Sequence, residues 1–217
     1  LSNSYDKVEA AKADLITECE GFDKKLKTRS VLSLVKDWEA IFDLGRDFAI
    51  TGSEFKKGKA FELDLPNNAG KCGVRLPAGY NPKKENYPAI LILTSGKTLD
   101  ALEALPVEVK DAYILMGVDL TGLDAETVLA DAGRLRILLP IGTASRLYRV
   151  NRQRLFLLGQ GDLGASAASR LAAVYPMAFA GCALVGGLSA ATGNVGNLKL
   201  LPFDTKGDTQ AALSWFA

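Results

Sequence analysis

The chain of 217 residues is 48% hydrophobic and 24% charged, enough apolar material for one sizeable core and too little length for two full catalytic domains. Its 26 basic and 25 acidic residues leave a formal net charge of +1, so no overall field favours nucleic acid or an anionic membrane, and no apolar run approaches the roughly 20 residues of a membrane-crossing helix. Histidine is absent, which removes from this chain Ser-His and Cys-His catalysis and any histidine-rich metal centre.

The chain opens at Leu1 without a basic-then-apolar leader, which implies upstream residues removed by processing or by design and leaves a secreted or periplasmic location open. Residues 4–48 read as two helices, because apolar side chains recur at three-to-four spacing and proline is missing. Gly21, Phe22, Lys24 and Lys25 mark the expected break. Ser30 is placed to cap the second helix, whose stripe is Val31, Leu34, Val35, Trp38, Ile41 and Phe42. Gly52 to Gly58 form the exit.

From residue 60 the pattern changes to short β-rich runs. Ala60–Leu65 and Cys72–Leu76, joined across Asn67-Asn68-Ala69-Gly70, predict a hairpin. Pro88–Thr94 and Ala112–Val118 are continuously apolar, as strands buried on both faces of a parallel sheet are, with a helical run Leu99–Leu105 between them. Asp124 is placed to cap a helix that buries Val128, Leu129, Leu135, Leu138 and Leu139, stops near Pro140 and resumes after Gly142. Arg154–Leu158 is a further buried strand, running into Gly159-Gln160-Gly161-Asp162-Leu163-Gly164, an alanine-rich helix Ala165–Val174 and the strand Ala178–Val185. Cys19, Cys72 and Cys182 lie far apart and form no CxxC pair, so free thiols are expected.

This alternation predicts an α/β fold, a three-layer αβα sandwich with a mostly parallel sheet and an opening β-hairpin. The domain limits are an N-terminal helical segment over 1–52, packing on the domain or arming it, and the sheet domain over 53–217, shortened at its C-terminus.

Two segments carry a family resemblance. Val74-Arg75-Leu76-Pro77-Ala78-Gly79-Tyr80-Asn81-Pro82, followed by Tyr87-Pro88, resembles the opening of feruloyl-esterase, polyhydroxybutyrate-depolymerase and phospholipase/carboxylesterase-like members of the α/β-hydrolase superfamily. Tyr148-Arg149-Val150-Asn151-Arg152-Gln153-Arg154-Leu155-Phe156-Leu157-Leu158-Gly159, with Ala172-Ala173-Val174-Tyr175-Pro176 and Phe179-Ala180-Gly181, resembles the segment around their nucleophile. Together these cover about residues 60 to 203. The resemblance implies a nucleophile elbow at Gly159 to Gly164, written Gly-x-Ser-x-Gly in the family and lacking the serine here.

Aligned from the strand, Gly161 takes the serine's place; counted back from Tyr175-Pro176, Asp162 does, as in haloalkane dehalogenases and epoxide hydrolases. Ser166 fits small-x-Ser-x-small, yet it falls inside the helix. Where the family often has His-Gly at the oxyanion loop, this chain has Thr94-Ser95-Gly96-Lys97, so Ser95 and Gly96 mark that region and their backbone N–H groups are expected to line an anion-sized pocket. Asp204 and Asp208 mark the region of the family acid.

Three functional readings follow. The first is a hydrolase-fold protein that has lost Ser-His-Asp catalysis and binds a ligand or partner. The second is an active ester or related hydrolase, with Asp162 as nucleophile or a histidine supplied from outside this chain. The third makes residues 4–48 a homo-oligomerisation or partner-binding arm on an inert scaffold. A small-molecule ligand is expected in the crevice at the strand carboxyl ends. No cofactor and no metal are expected: Gly159 to Gly164 spells Gly-x-Gly-x-x-Gly, but no acidic residue ends a suitable next strand.

Overall fold

The computed structural model describes residues 2–29, 34, 36–37, 40–41, 44–45, 56–66, 69–82, 86–124, 126–186 and 200–203. The chain divides into two compact units, Leu1–Phe55 with Arg146–Tyr148, and Lys56–Ser145 with Arg149–Ala217.

In the first unit a single helix, α1 (Ser2–Leu26), runs through Gly21 and Phe22. The expected break is therefore displaced: the helix ends only at the Lys27–Arg29 turn, where Thr28 and Arg29 both donate N–H to the Lys25 carbonyl. A lone glycine costs a helix about 1 kcal/mol, which neighbouring turns absorb. Phe22 and Leu34 are buried, and the Lys25 ammonium pairs with the Asp37 carboxylate. Most of the second expected helix, including its Ser30 cap, lies outside the described residues.

The second unit is built on a seven-stranded sheet. Its strands are β1 (Ala60–Asp64), β2 (Lys71–Arg75), β3 (Tyr87–Thr94), β4 (Ile114–Asp119), β5 (Val150–Gln160), β6 (Gly181–Val185) and β7 (Leu200–Phe203), in the order β1-β2-β4-β3-β5-β6-β7. The expected hairpin is present: β1 and β2 pair antiparallel from Ala60 with Arg75 to Asp64 with Lys71, closed by Leu65 N–H on the Gly70 carbonyl at 2.8 Å. β2 is antiparallel to β4, and every pair from β4 through β3, β5 and β6 to β7 is parallel.

Residues 89–93 of β3 are wholly buried, as are Ile114, Leu115 and Met116 of β4 and Leu157 and Leu158 of β5. Continuous apolar runs suit this position because helices cover both faces of a parallel sheet. At about 25 cal/mol per Å² of apolar surface, each such Leu or Ile contributes about 2 kcal/mol.

Two short helices, α2 (Thr98–Glu103) and α3 (Val107–Ala112), stand where one was expected, split at Pro106. After β4, Asp124 Oδ1 accepts N–H from Glu126 and Thr127 and so caps a single 3-10 turn, Thr127–Leu129. The long helix α4 (Asp131–Leu147) follows and passes through Pro140 without stopping. Its buried face is Gly133, Ile137, Pro140, Thr143, Ala144 and Ser145, whereas Leu135, expected inward, is 57% exposed. The helix starts at Asp131 rather than Asp124, and at 3.6 residues per turn Leu135 lies roughly opposite Ile137, Pro140 and Ala144, the side this helix buries. Helix α5 (Gly161–Val174) follows β5 with no intervening loop.

Candidate functional site

Parallel pairing brings the strand carboxyl ends into one row. Thr94 of β3 lies beside Asp119 of β4, Leu93 beside Gly159, and Gln160 of β5 beside Val185 of β6, which in turn pairs with Phe203 of β7. The carboxyl ends of β3, β4, β5 and β6 therefore share one edge, and it is at this edge that open α/β sheets as a class hold ligands.

At its centre β5 turns into α5 within one residue. Gln160 is still extended (φ −116°, ψ 132°), and Gly161 takes φ +72°. That left-handed conformation costs a residue with a Cβ about 1–3 kcal/mol, so glycine suits the bend. The neighbouring glycines serve packing. A Cβ on Gly159 would fall on the Gly164 carbonyl and lie 2.7 Å from Ala165 Cα, and one on Gly164 would fall on the Leu93 carbonyl. With Ala165, Ala168 and Ala172 buried, they let α5 lie directly on β5 and β3. The same three glycines that spell Gly-x-Gly-x-x-Gly thus have a steric reason at the first and third positions.

Among the described residues a Cβ on Gly161 meets nothing within 4 Å. Of the two sequence registers, counting from the strand coincides with the bend, at Gly161. Asp162 lies in the first turn of α5 and is exposed, and Leu163 is partly buried. The helix dipole favours a carboxylate there. Ser166 lies inside α5, as expected, and its carbonyl accepts the Ser169 hydroxyl at 2.9 Å.

In the loop after β3 Ser95 is exposed, and Gly96 takes φ +127° and donates its N–H to Asp119 Oδ1 at 3.0 Å. The same oxygen accepts the Thr121 N–H at 2.8 Å and the Thr121 hydroxyl at 2.6 Å. Burial pushes the Asp119 carboxyl up, but the hydrogen bonds from Thr121 and Gly96, with the charge of Arg136, outweigh it and hold the group below the ordinary carboxylate range. Sequence reasoning passed over Asp119. Its signal was an acid terminating the buried run AYILMGV, where a parallel strand reaches the crevice.

Asp204 and Asp208 lie outside the described residues; the strand that leads to them, β7, is described. Among the described residues no group of three or more His, Cys, Asp or Glu is arranged to hold a metal ion. Cys72 and Cys182 are buried, and burial pushes each thiol up to about 12, so neither supplies a thiolate at neutral pH; Cys19 is exposed. Among the described residues no helix is long and apolar enough to cross a membrane.

No protein-family model and no curated protein sequence matches the chain. Solved structures do. A thermostable esterase superposes with a TM-score of 0.50 at 15% identity, over 72% of this chain and 50% of that one. An S-formylglutathione hydrolase from Staphylococcus aureus gives 0.46 at 16% identity over 63% and 60% of the two chains. The feruloyl esterase module from Clostridium thermocellum, solved with sinapinate, gives 0.44 at 13% over 59% and 54%. The present chain spans half the length of the thermostable esterase. With its antiparallel β1-β2 edge, the β4-β3-β5 crossover order and a one-residue bend from β5 into the following helix, the chain has the α/β-hydrolase fold.

Proposed function

We propose that this α/β-hydrolase-fold chain binds a ligand or partner in its strand-end crevice and does not carry Ser-His-Asp hydrolysis. The observation that carries the reading is the bend itself. The residue at φ +72° between β5 and α5 is Gly161, which has no atom with which to attack a carbonyl carbon. The absence of histidine removes the usual base that would activate a nucleophile or a water. The hydrogen bond from Gly96 N–H to Asp119 supports the same reading, since an oxyanion donor already satisfied adds nothing to a transition state.

The test is hydrolysis of short-chain nitrophenyl esters by the purified chain. No saturable turnover is expected. Saturable kinetics that disappear in Gly161→Val would overturn the proposal.

Asp162 is the one specific ground for a second reading, because it is exposed on the first turn after the bend. As a nucleophile it would form an ester with an alkyl halide or epoxide carbon, and a histidine from another chain would be needed to activate the water that releases it. Intact-mass measurement after incubation with such reagents tests this; absence of an adduct across a broad panel would end the idea.

The N-terminal segment 1–52 is proposed as an arm separate from this chemistry, which the division of the chain at Phe55 supports. Sedimentation with and without residues 1–50 tests it, and an unchanged monomer would count against it.

A further inference from the structure

The donor groups at the oxyanion side of the crevice already hold an anion. Gly96 N–H, Thr121 N–H and the Thr121 hydroxyl converge on Asp119 Oδ1 at 3.0, 2.8 and 2.6 Å. Two of these donors are local to the turn after β4. The third crosses from the loop after β3, a separation of 23 residues, so one carboxylate oxygen ties two crevice loops together. The ties are continued by the Leu120 N–H on the Thr94 carbonyl at 2.8 Å, and Arg136 leans on the same turn, its Nη1 reaching the Thr121 carbonyl at 3.5 Å. Backbone amides and a hydroxyl aimed at a single point are what proteins use to hold an oxyanion, and hydrogen bonds to an ionised oxygen are roughly twice as strong as neutral ones.

We propose that Asp119 is a resident counter-ligand: its carboxylate fills the donor cradle between the loops after β3 and β4, so that small carboxylates and related oxyanions are shut out while it is in place and are accepted when it is removed. The proposal rests on reading the crevice as a binding face rather than a hydrolytic one. It accounts for the φ of +127° at Gly96, a conformation open to glycine, with which the amide meets Asp119.

The test uses the full chain labelled with 15N, titrated with sodium acetate and, as a control, with sodium chloride at equal ionic strength. In the wild type the Gly96 and Thr121 amide signals should move no further with acetate than with chloride. In Asp119→Ala both should shift saturably with acetate. A saturable shift in the wild type, or none in a folded Asp119→Ala chain, would overturn the proposal. Should Asp119→Ala fail to fold, Asp119→Asn retains an acceptor oxygen and the side-chain shape but loses the charge. Its Gly96 amide should then exchange with solvent about fivefold to tenfold faster than in the wild type, as expected when a charge-assisted hydrogen bond becomes a neutral one. Unchanged exchange would equally overturn it. Ester turnover by the wild type would count against the proposed function, and the amide signals would still report separately whether the cradle is filled.

Discussion

Gly186, which follows β6 with φ +119°, stands so close to the bend after β5 that a Cβ on it would lie 2.6 Å from the Cα and 2.7 Å from the N of Gly161. Gly186, at the end of β6, is thus seated on the backbone of the turn that leaves the neighbouring strand β5. Gly186→Ala introduces both a strained φ and an overlap with backbone that has no side chain to move aside. A loss of about 2–4 kcal/mol is expected, read from the urea unfolding midpoint. An unchanged midpoint would show that Gly186 does not bear on Gly161.

Gly164 at the strand-helix junction and Gly142 in α4 have opposite roles, and alanine separates them. Gly164→Ala places a Cβ on the Leu93 carbonyl and should cost about 2–4 kcal/mol. Gly142→Ala, at an exposed position inside α4 with nothing within 4 Å of its Cβ, should stabilise by about 0.5–1 kcal/mol through helix propensity. Thermal or urea unfolding of the two variants side by side checks the sign of each.

Of the three cysteines, Cys19 is exposed, while Cys72 and Cys182 are 3% and 0% exposed, with burial pushing both thiols up to about 12. A thiol reagent at neutral pH should label Cys19 rapidly and the other two only after denaturant is added. The raised folded-state values have a linkage consequence. Below the unfolded thiol pKa of about 8.5 both states are protonated and the contribution is intact. As pH rises through that value the unfolded chain ionises and the fold does not, so stability should fall on the alkaline side, less steeply in Cys182→Ser if the variant folds.

Asp119 sets the acid side. Its folded-state pKa is depressed, so the stabilisation it supplies is fully present above the ordinary carboxylate pKa of about 3.9 and is lost as pH falls through the folded-state value. Asp124, whose carboxylate accepts N–H groups from Thr127 and Glu126, acts in the same direction. Unfolding midpoints taken from about pH 5 downward should decline for the wild type and decline less for Asp119→Asn. Equal slopes would mean that Asp119 carries no differential charge.

The sequence by itself determined the build. Apolar runs at Pro88–Thr94 and Leu155–Leu158, the turn at Asn67–Gly70 and the alternation of strand with helix were enough for a mostly parallel sheet with an opening hairpin, because burial on both faces writes itself directly into composition. The lack of a serine within Gly159 to Gly164 and the absence of histidine were legible in the same way, since a missing residue type needs no geometry.

What the tertiary structure decided depends on through-space neighbours. Gly21 and Pro140 are breakers by local propensity, yet α1 and α4 run through them. Counting along the chain gives two registers for the residue in the serine's place, Gly161 or Asp162; the left-handed φ of +72° at Gly161 and the start of α5 there are features of the tertiary structure. Gly96 and Asp119 lie 23 positions apart, and only the parallel pairing of Thr94 with Asp119 brings the amide to the carboxylate, at a distance that periodicity along one strand does not encode.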